Sequence, residues 1–443
     1  MMEKDKAFEI LTKGLVSSQA DQTELVLLGE NFSFTQLAEN VIRQNICRSD
    51  HTIMARTILG KKIGVAVTNR IDDESVAGVI NTAAEIASYQ KEDPDFVSLP
   101  SSPPAPEVRG FYQRTFEYSP QDRAKDVERA VKRCKAQKLA GTGAFKTEGY
   151  VTAVVNSLGT RQFFEETKAH FSLTASAGDT ASGWAQGYDR DVNKIDIESI
   201  TRRATLKALL SRNPIALPPG KYTVILEEAA VASLLLFLGF LGFGAKTFLQ
   251  GRSFMARNIG EKITSDKIAI VEDPFHPKMN AMPFDYEGSI KKRVPLIENG
   301  IAKGTVYNSY YANKAGVEST GHALPPNNTF GPYPKNMVMS PGDSSLEDMI
   351  ATTEKGILIT HFWYINYMNP MKTQVTGTTR DGTFLIEDGK IKSAVSNMRI
   401  GQSILEAFSN VEMMSKERRL CPQFGVVMYV PAMKIKDFTF IGG

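Results

Sequence analysis

At 443 residues, 42% of them hydrophobic and 23% charged, the chain has an ordinary globular composition and room for two to four units with substantial cores. A net charge of +3 from nearly balanced counts is too weak to argue for a nucleic-acid footprint, which needs clustered cations on one face; runs such as 291–293 and 416–419 are short and read as solvated charges. Three distant cysteines, Cys47, Cys134 and Cys421, exclude a disulfide framework and point to a reducing, cytoplasmic location.

The opening MMEKDKAFEILTKGL lacks the long apolar run of a signal peptide. It reads as an amphipathic helix with Phe8, Leu11 and Leu15 on one face. Alternating segments follow, TELVLLGE, ENVIRQNICR and TIMARTILGKKIGVAVTN, with a hairpin turn at 59–62. Asp72 then caps a helix whose apolar face is Val76, Val79, Ile80, Ala83 and Ile86. Residues 1–90 therefore read as an N-terminal α+β domain of helix, meander and helix.

Prolines at 94, 100, 103, 104 and 106 make residues 91–118 an extended linker, because proline fixes φ and removes a donor. Ser119-Pro120 restarts order with a helix running to about Lys138, with Ala124, Val127, Val131 and Cys134 inward. Strands are expected near 150–155, 160–165, 169–177 and 183–188, then a helix from Asp196 with Ile197, Ile200, Ala204 and Ala208 buried. Residues 119–220 form the second expected α+β unit.

Residues 221–443 read as a larger, antiparallel β-rich domain with buried helices. Its signature is AAVASLLLFLGFLGFGA, seventeen uncharged residues from Ala229 to Ala245. The run is shorter than the ~20 residues of a membrane span and carries three interior glycines, so it reads as a core helix ending near 239–244. A late helix is expected through Ile400, Ile404, Phe408 and Val411, before the closing strands FGVVMYV and KIKDFTF.

Most catalytic motifs are missing: there is no Gly-x-Ser-x-Gly elbow, no phosphate loop and no Cys-x-x-Cys. The Asp189–Asn193 stretch opens like a calcium loop but has Lys194 where glycine is needed and Ile200 where a bidentate Glu belongs. Five histidines, at 51, 170, 276, 322 and 361, are too scattered to bind zinc from one helix. His276 lies beside Glu272 and Asp273, His361 alternates with apolar residues, and His322 sits in a Gly/Pro-rich loop.

Several blocks in one order carry a resemblance. They are GKKIGVAVTNRIDDESVAGVINTAAEIA, NSLGTRQFFEET, DIESITRRATLKALLSRNPIALPPGKYTVIL, ARNIGEKITSDKIAIVEDP, FDYEGSIKKRVPLIENGIAKGTVYNSYYANKAGVESTGHA, SPGDSSLEDMIATTEKGILIT and TGTTRDGTFLIEDGKI. Together they resemble the TldD/PmbA family, once labelled modulators of DNA gyrase. The resemblance implies a metallopeptidase scaffold in which catalytic members carry His-Glu-x-x-x-His on the apolar helix and a later cysteine ligand. Here those positions fall at or beside Glu227, Glu228 and Ala232, with Cys421 near the late ligand. No histidine lies between His170 and His276 to shift into register.

The chain thus resembles the non-catalytic PmbA/TldE branch, which implies no catalytic residue, metal or cofactor of its own. The implied role is a metal-free subunit that grips unfolded peptides for cleavage by a TldD-like partner, without nucleic acid or membrane. His322 and Arg380 are the candidates for the peptide-gripping surface. Two alternatives stand beside it: a homodimeric peptide-binding protein without a catalytic partner, and an enzyme rearranged around His276, His322, Cys421 or carboxylates. Glu227 and Glu228 should lie at the helix start, where carboxylates favour the dipole, ~100° apart and so facing different neighbours.

Overall fold

The computed structural model describes residues 1–279 and 281–442. In the N-terminal half, α1 (Lys4–Ser17) leads into β1 (Gln22–Ala38), β2 (Val41–Leu59), β3 (Lys62–Thr68) and α2 (Asp73–Tyr89). A single turn, α3 (Gln113–Phe116), interrupts the extended linker before α4 (Pro120–Ala136). Then come β4 (Ala140–Asn156), β5 (Arg161–Ala177), β6 (Ala181–Asp189) and α5 (Ile197–Leu210).

Local chemistry explains most of these limits. The Asp72 side chain accepts from Ser75 N at the start of α2. Ser119 and Asp122 close a capping box around Pro120. Gly60 takes a left-handed φ of 61° in the turn between β2 and β3. The strands expected around 150–165 are longer than their sequence signals, because β4 and β5 pair continuously from Ala140↔Ser176 to Val155↔Arg161.

The six strands form one antiparallel sheet in the order β3-β2-β1-β4-β5-β6. Residues on both sides of the Pro-rich linker therefore share a sheet, joined by β1 against β4 from Glu24↔Asn156 onward. Alternation sorts its faces. Leu25, Leu27, Ala153 and Val155 meet α1 and α2, while Phe145, Phe171 and Leu173 meet α4 and α5. The opposite face carries Val26, Met54, Val154 and Phe164, which pack on Phe284 from the C-terminal half.

That half contains β7 (Gly220–Leu226), α6 (Glu228–Gly242), α7 (Ala245–Leu249), β8 (Ile270–Glu272), β9 (Val294–Glu298), β10 (Ile301–Ala302), α8 (Ser309–Ala315), β11 (Asn336–Met339) and α9 (Leu346–Ala351). It continues with β12 (Lys355–Asn369), β13 (Gln374–Glu387), β14 (Lys390–Ala394), β15 (Arg399–Ser403), α10 (Ile404–Ser409), β16 (Val411–Gln423) and β17 (Val426–Gly442). Eleven strands make a mainly antiparallel sheet, with parallel pairs at β7/β12 and β11/β17. The protein is α+β, as the sequence indicates.

The late helix is a correction. Ile400 lies in β15, paired with Gly377 of β13, and Val411 opens β16; only Ile404–Ser409 is helical. Four apolar residues at helical spacing were satisfied by a strand–helix–strand path that buries all four. The apolar helix α6 is real and is the centre of the larger core, where its side chains join those of β7, β12, β16 and β17. Only Glu228, Phe237 and Phe240 of its residues are not buried, so it is apolar all round, as a core helix must be. A Cβ on Gly242 would come within 2.1 Å of the Phe254 ring, so this last turn needs glycine for close packing. Among the described residues no helix is long and apolar enough to cross a membrane.

Candidate functional site

The N-terminus of α6 sits where three elements converge. β7 ends at Leu226, paired with Ile359 of β12 and Met433 of β17. Glu227 is the N-cap in extended conformation; its N–H donates to Ile359 O at 3.0 Å, and its carbonyl accepts from Ala230 N and Val231 N. The two glutamates then diverge, as helical geometry demands.

Glu227 points to α5 of the central region. Its carboxylate lies 2.6 Å from Lys207 Nζ and 3.5 Å from Arg203 Nη2, with both the acid and Lys207 buried. Burial works against the charge on Glu227, but the two cations outweigh it and hold its carboxyl below the ordinary range. This ion pair joins the α5 layer to the C-terminal sheet.

Glu228 points the other way, to β16, where Arg419 Nε stands 3.0 Å from Oε1. Alternation along β16 puts Arg419, Cys421 and Gln423 on one side of the strand. Gln423 Nε2 donates to Ser233 Oγ at 2.9 Å and to Ala229 O at 3.3 Å. Cys421 lies between them, 3% exposed, with Gln186 of β6 reaching its thiol. Burial, with Glu228 nearby, pushes that thiol's pKa well up and keeps it neutral.

Cys421 lies on the β16 face that meets α6. The donor set does not fit a divalent metal. Glu227 faces away to Lys207, Glu228 is paired with Arg419 and Ala232 offers only a methyl group, which leaves Cys421 as a lone donor beside α6. Among the described residues no group of three or more His, Cys, Asp or Glu side chains is placed to share an ion.

The two surface candidates separate. Arg380 is exposed and lies over the Trp363 ring at 4.7 Å. His322 is the correction: its side chain is 1% exposed, Nδ1 shares a hydrogen with Thr320 Oγ1 at 3.0 Å, and Nε2 faces Glu272 Oε1 at 3.4 Å. A Gly/Pro-rich loop around it folded inward, so this imidazole cannot meet a peptide at the surface. His361 stacks on Trp184 at 4.5 Å and bonds Asp381 at 3.1 Å, close to the β6 strand that carries Gln186.

Sequence reasoning missed Lys207, Arg203, Gln423, Ser233 and Trp184. Lys207 and Arg203 share one face of α5 at i, i+4 spacing, which in sequence reads as a solvated stripe. Nothing local says that this stripe meets a glutamate from another layer.

Comparison with known proteins places this architecture. The pattern of the PmbA/TldA metallopeptidase C-terminal domain matches residues 219–442, and that of the central domain matches residues 113–212. Among solved structures, TldE from Thermococcus kodakarensis superposes with a TM-score of 0.89 at 26% identity, covering 98% of this chain and 100% of that one. The metalloprotease PmbA of Escherichia coli O157:H7 is 26% identical over 390 residues, 84% of this chain and 82% of its own. A metalloprotease of Methanothermobacter thermautotrophicus is 25% identical over 290 residues, 61% of each chain. The match to that relative thus spans less than two thirds of its length.

Fold and core helix together define a metallopeptidase-like α+β scaffold. The chain belongs to the PmbA/TldD family, shown by domain patterns that cover most of its length.

Proposed function

We propose that this chain is a metal-free subunit of a two-component peptidase, holding unfolded peptides for cleavage by a TldD-like partner. One observation carries the reading: each position expected to face a metal is otherwise engaged, Glu227 with Lys207, Glu228 with Arg419, Ala232 in core packing and Cys421 with Gln186. Likeness to a TldE structure over nearly the whole chain supports it.

The peptide would be held by backbone pairing to an open strand edge, a sequence-tolerant mode. β3 covers β2 only from Ile53 onward, so among the described strands residues 41–52 of β2 have a neighbour on one side only. Arg380 remains the surface candidate among the named residues.

The test is made on the full chain purified alone and with the TldD-like chain of its source organism. Alone, it should carry far less than one zinc or iron per chain by elemental analysis and cleave no carboxymethylated, permanently unfolded protein. With the partner, cleavage should appear. One tightly held metal per chain, or cleavage by the isolated chain, would overturn the proposal.

A further inference from the structure

The three cysteines sit in unlike surroundings. Cys134 and Cys421 are buried, and burial pushes the Cys134 thiol up to about 11 and the Cys421 thiol well above its usual range. Both stay protonated and out of reach. Cys47 is exposed, on the stretch of β2 that β3 does not cover.

Beside Cys47 lies a cation without an anion. Arg123 of α4 is 0% exposed. Its Nε donates to Thr35 Oγ1 at 3.1 Å, and its Nη1 donates to Tyr118 O at 2.6 Å and to Thr147 Oγ1 at 3.1 Å. Its Nη2 reaches Asn45 Oδ1 at 3.4 Å and Cys47 Sγ at 3.8 Å. The guanidinium thus ties α4 to β1, β2 and β4, and every oxygen it meets is neutral. The acids of its own helix are used elsewhere. Asp122 closes the cap on Ser119 and faces Arg114, while Asp126 accepts from Tyr118 and pairs with Arg129. Among the described residues no carboxylate pairs with Arg123.

A buried charge with hydrogen bonds but no counter-charge is costly. Burial holds the Arg123 pKa below its ordinary value, and the contact with Cys47 is the largest influence opposing it. The sulfur is the one acceptor here that can carry a full negative charge. Ser33 Oγ donates to it at 3.4 Å from β1, so two donors converge on Sγ. A thiol that faces a fixed cation and is open to solvent is in the setting where cysteines react.

We propose that Cys47 is a modification site: a reactive thiol, paired as its thiolate with Arg123, that hydroperoxides oxidise to the sulfenic acid. In that step Sγ attacks one peroxide oxygen. The S–O bond forms as the O–O bond breaks, the sulfur gives up two electrons, and the leaving hydroxide or alkoxide takes a proton from water.

The test treats the full chain with equimolar hydrogen peroxide at pH 7, traps sulfenic acid with dimedone and locates the adduct by mass spectrometry. The adduct should form on Cys47 and not on Cys134 or Cys421, at least tenfold faster than on a short peptide with one free cysteine. Arg123→Met keeps a buried apolar stem but removes the charge, and should slow the reaction at least tenfold. Arg123→Lys, which keeps the charge, should restore most of the rate. Circular dichroism checks that each variant is folded. A wild-type Cys47 that reacts no faster than the peptide would overturn the proposal without any variant, so the test holds even if Arg123→Met does not fold. Equal rates in wild type and folded R123M would overturn it as well.

Discussion

Two buried charge clusters hold the halves of this protein together, and they are built with opposite imbalance. At the start of α6, one carboxylate, Glu227, meets two cations, Lys207 and Arg203. At the other contact between the sheets, one guanidinium, Arg56, meets Glu24 at 2.8 Å and Glu287 at 3.2 Å. Asp285 lies two residues from Glu287 and accepts from Glu287 N, Ser289 N and Ala323 N. Glu24, Asp285 and Glu287 are all buried. Where cations are in excess the acid stays ionised; where acids are in excess some must keep a proton.

The pH response follows from the direction in which each carboxyl is moved. The Glu227 carboxyl is held below its ordinary range, so its stabilisation is present above that range and is lost as pH falls through the lowered value. Burial pushes Glu24 up to about 7, and burial with Glu287 nearby pushes Asp285 up to about 8. Their contribution is complete below the usual carboxylate range and is lost as pH rises through about 7 and about 8. The α6 cluster thus weakens in acid, and the Arg56 cluster weakens toward mild alkali.

The largest effect should come from Lys207→Met, which strips the nearest cation from a buried carboxylate. We expect a loss of about 3 kcal/mol in urea unfolding at pH 7, the scale for breaking a buried pair. A loss under ~1 kcal/mol would mean that Arg203 alone compensates Glu227. Next, Glu24→Gln should reduce the decline of stability between pH 5 and pH 8 by about 2 kcal/mol, since a tenfold change in proton affinity is worth ~1.4 kcal/mol. Unfolding curves of the variant that decline as steeply as wild type would place the proton elsewhere in the cluster.

Smallest is Arg419→Ala. Glu228 lies in the first turn of α6, where the helix dipole favours a carboxylate without its partner, and Arg419 is half-exposed. We expect less than ~1 kcal/mol of lost stability, as for other partly solvated pairs. A larger loss would show that this pair also sets the angle between α6 and β16.

Much of the fold was readable because local chemistry and tertiary packing agree. The capped starts of α2 and α4, the turn at Gly60 and the apolar run of α6 each follow from a few adjacent residues. The late helix was not readable, because a period of apolar residues does not distinguish a helix from a path that enters and leaves a sheet. At the site, the Glu227–Lys207 pair was not readable, because its two members lie on different layers and only the fold brings them together. Nor was the inward fold of His322, whose loop composition reads as exposed.

The sequence by itself determined the family, the α+β class, the position of the apolar helix and the lack of histidines near it. Those are properties of residue order and type. Only the tertiary structure decided that one sheet spans the Pro-rich linker, that Glu227 and Glu228 serve different neighbours, and that His322 is core while Arg380 is surface. The physical reason is shared by all three. Burial and ion pairing are set by residues tens to hundreds of positions away, and no local pattern specifies which distant charge or strand will arrive.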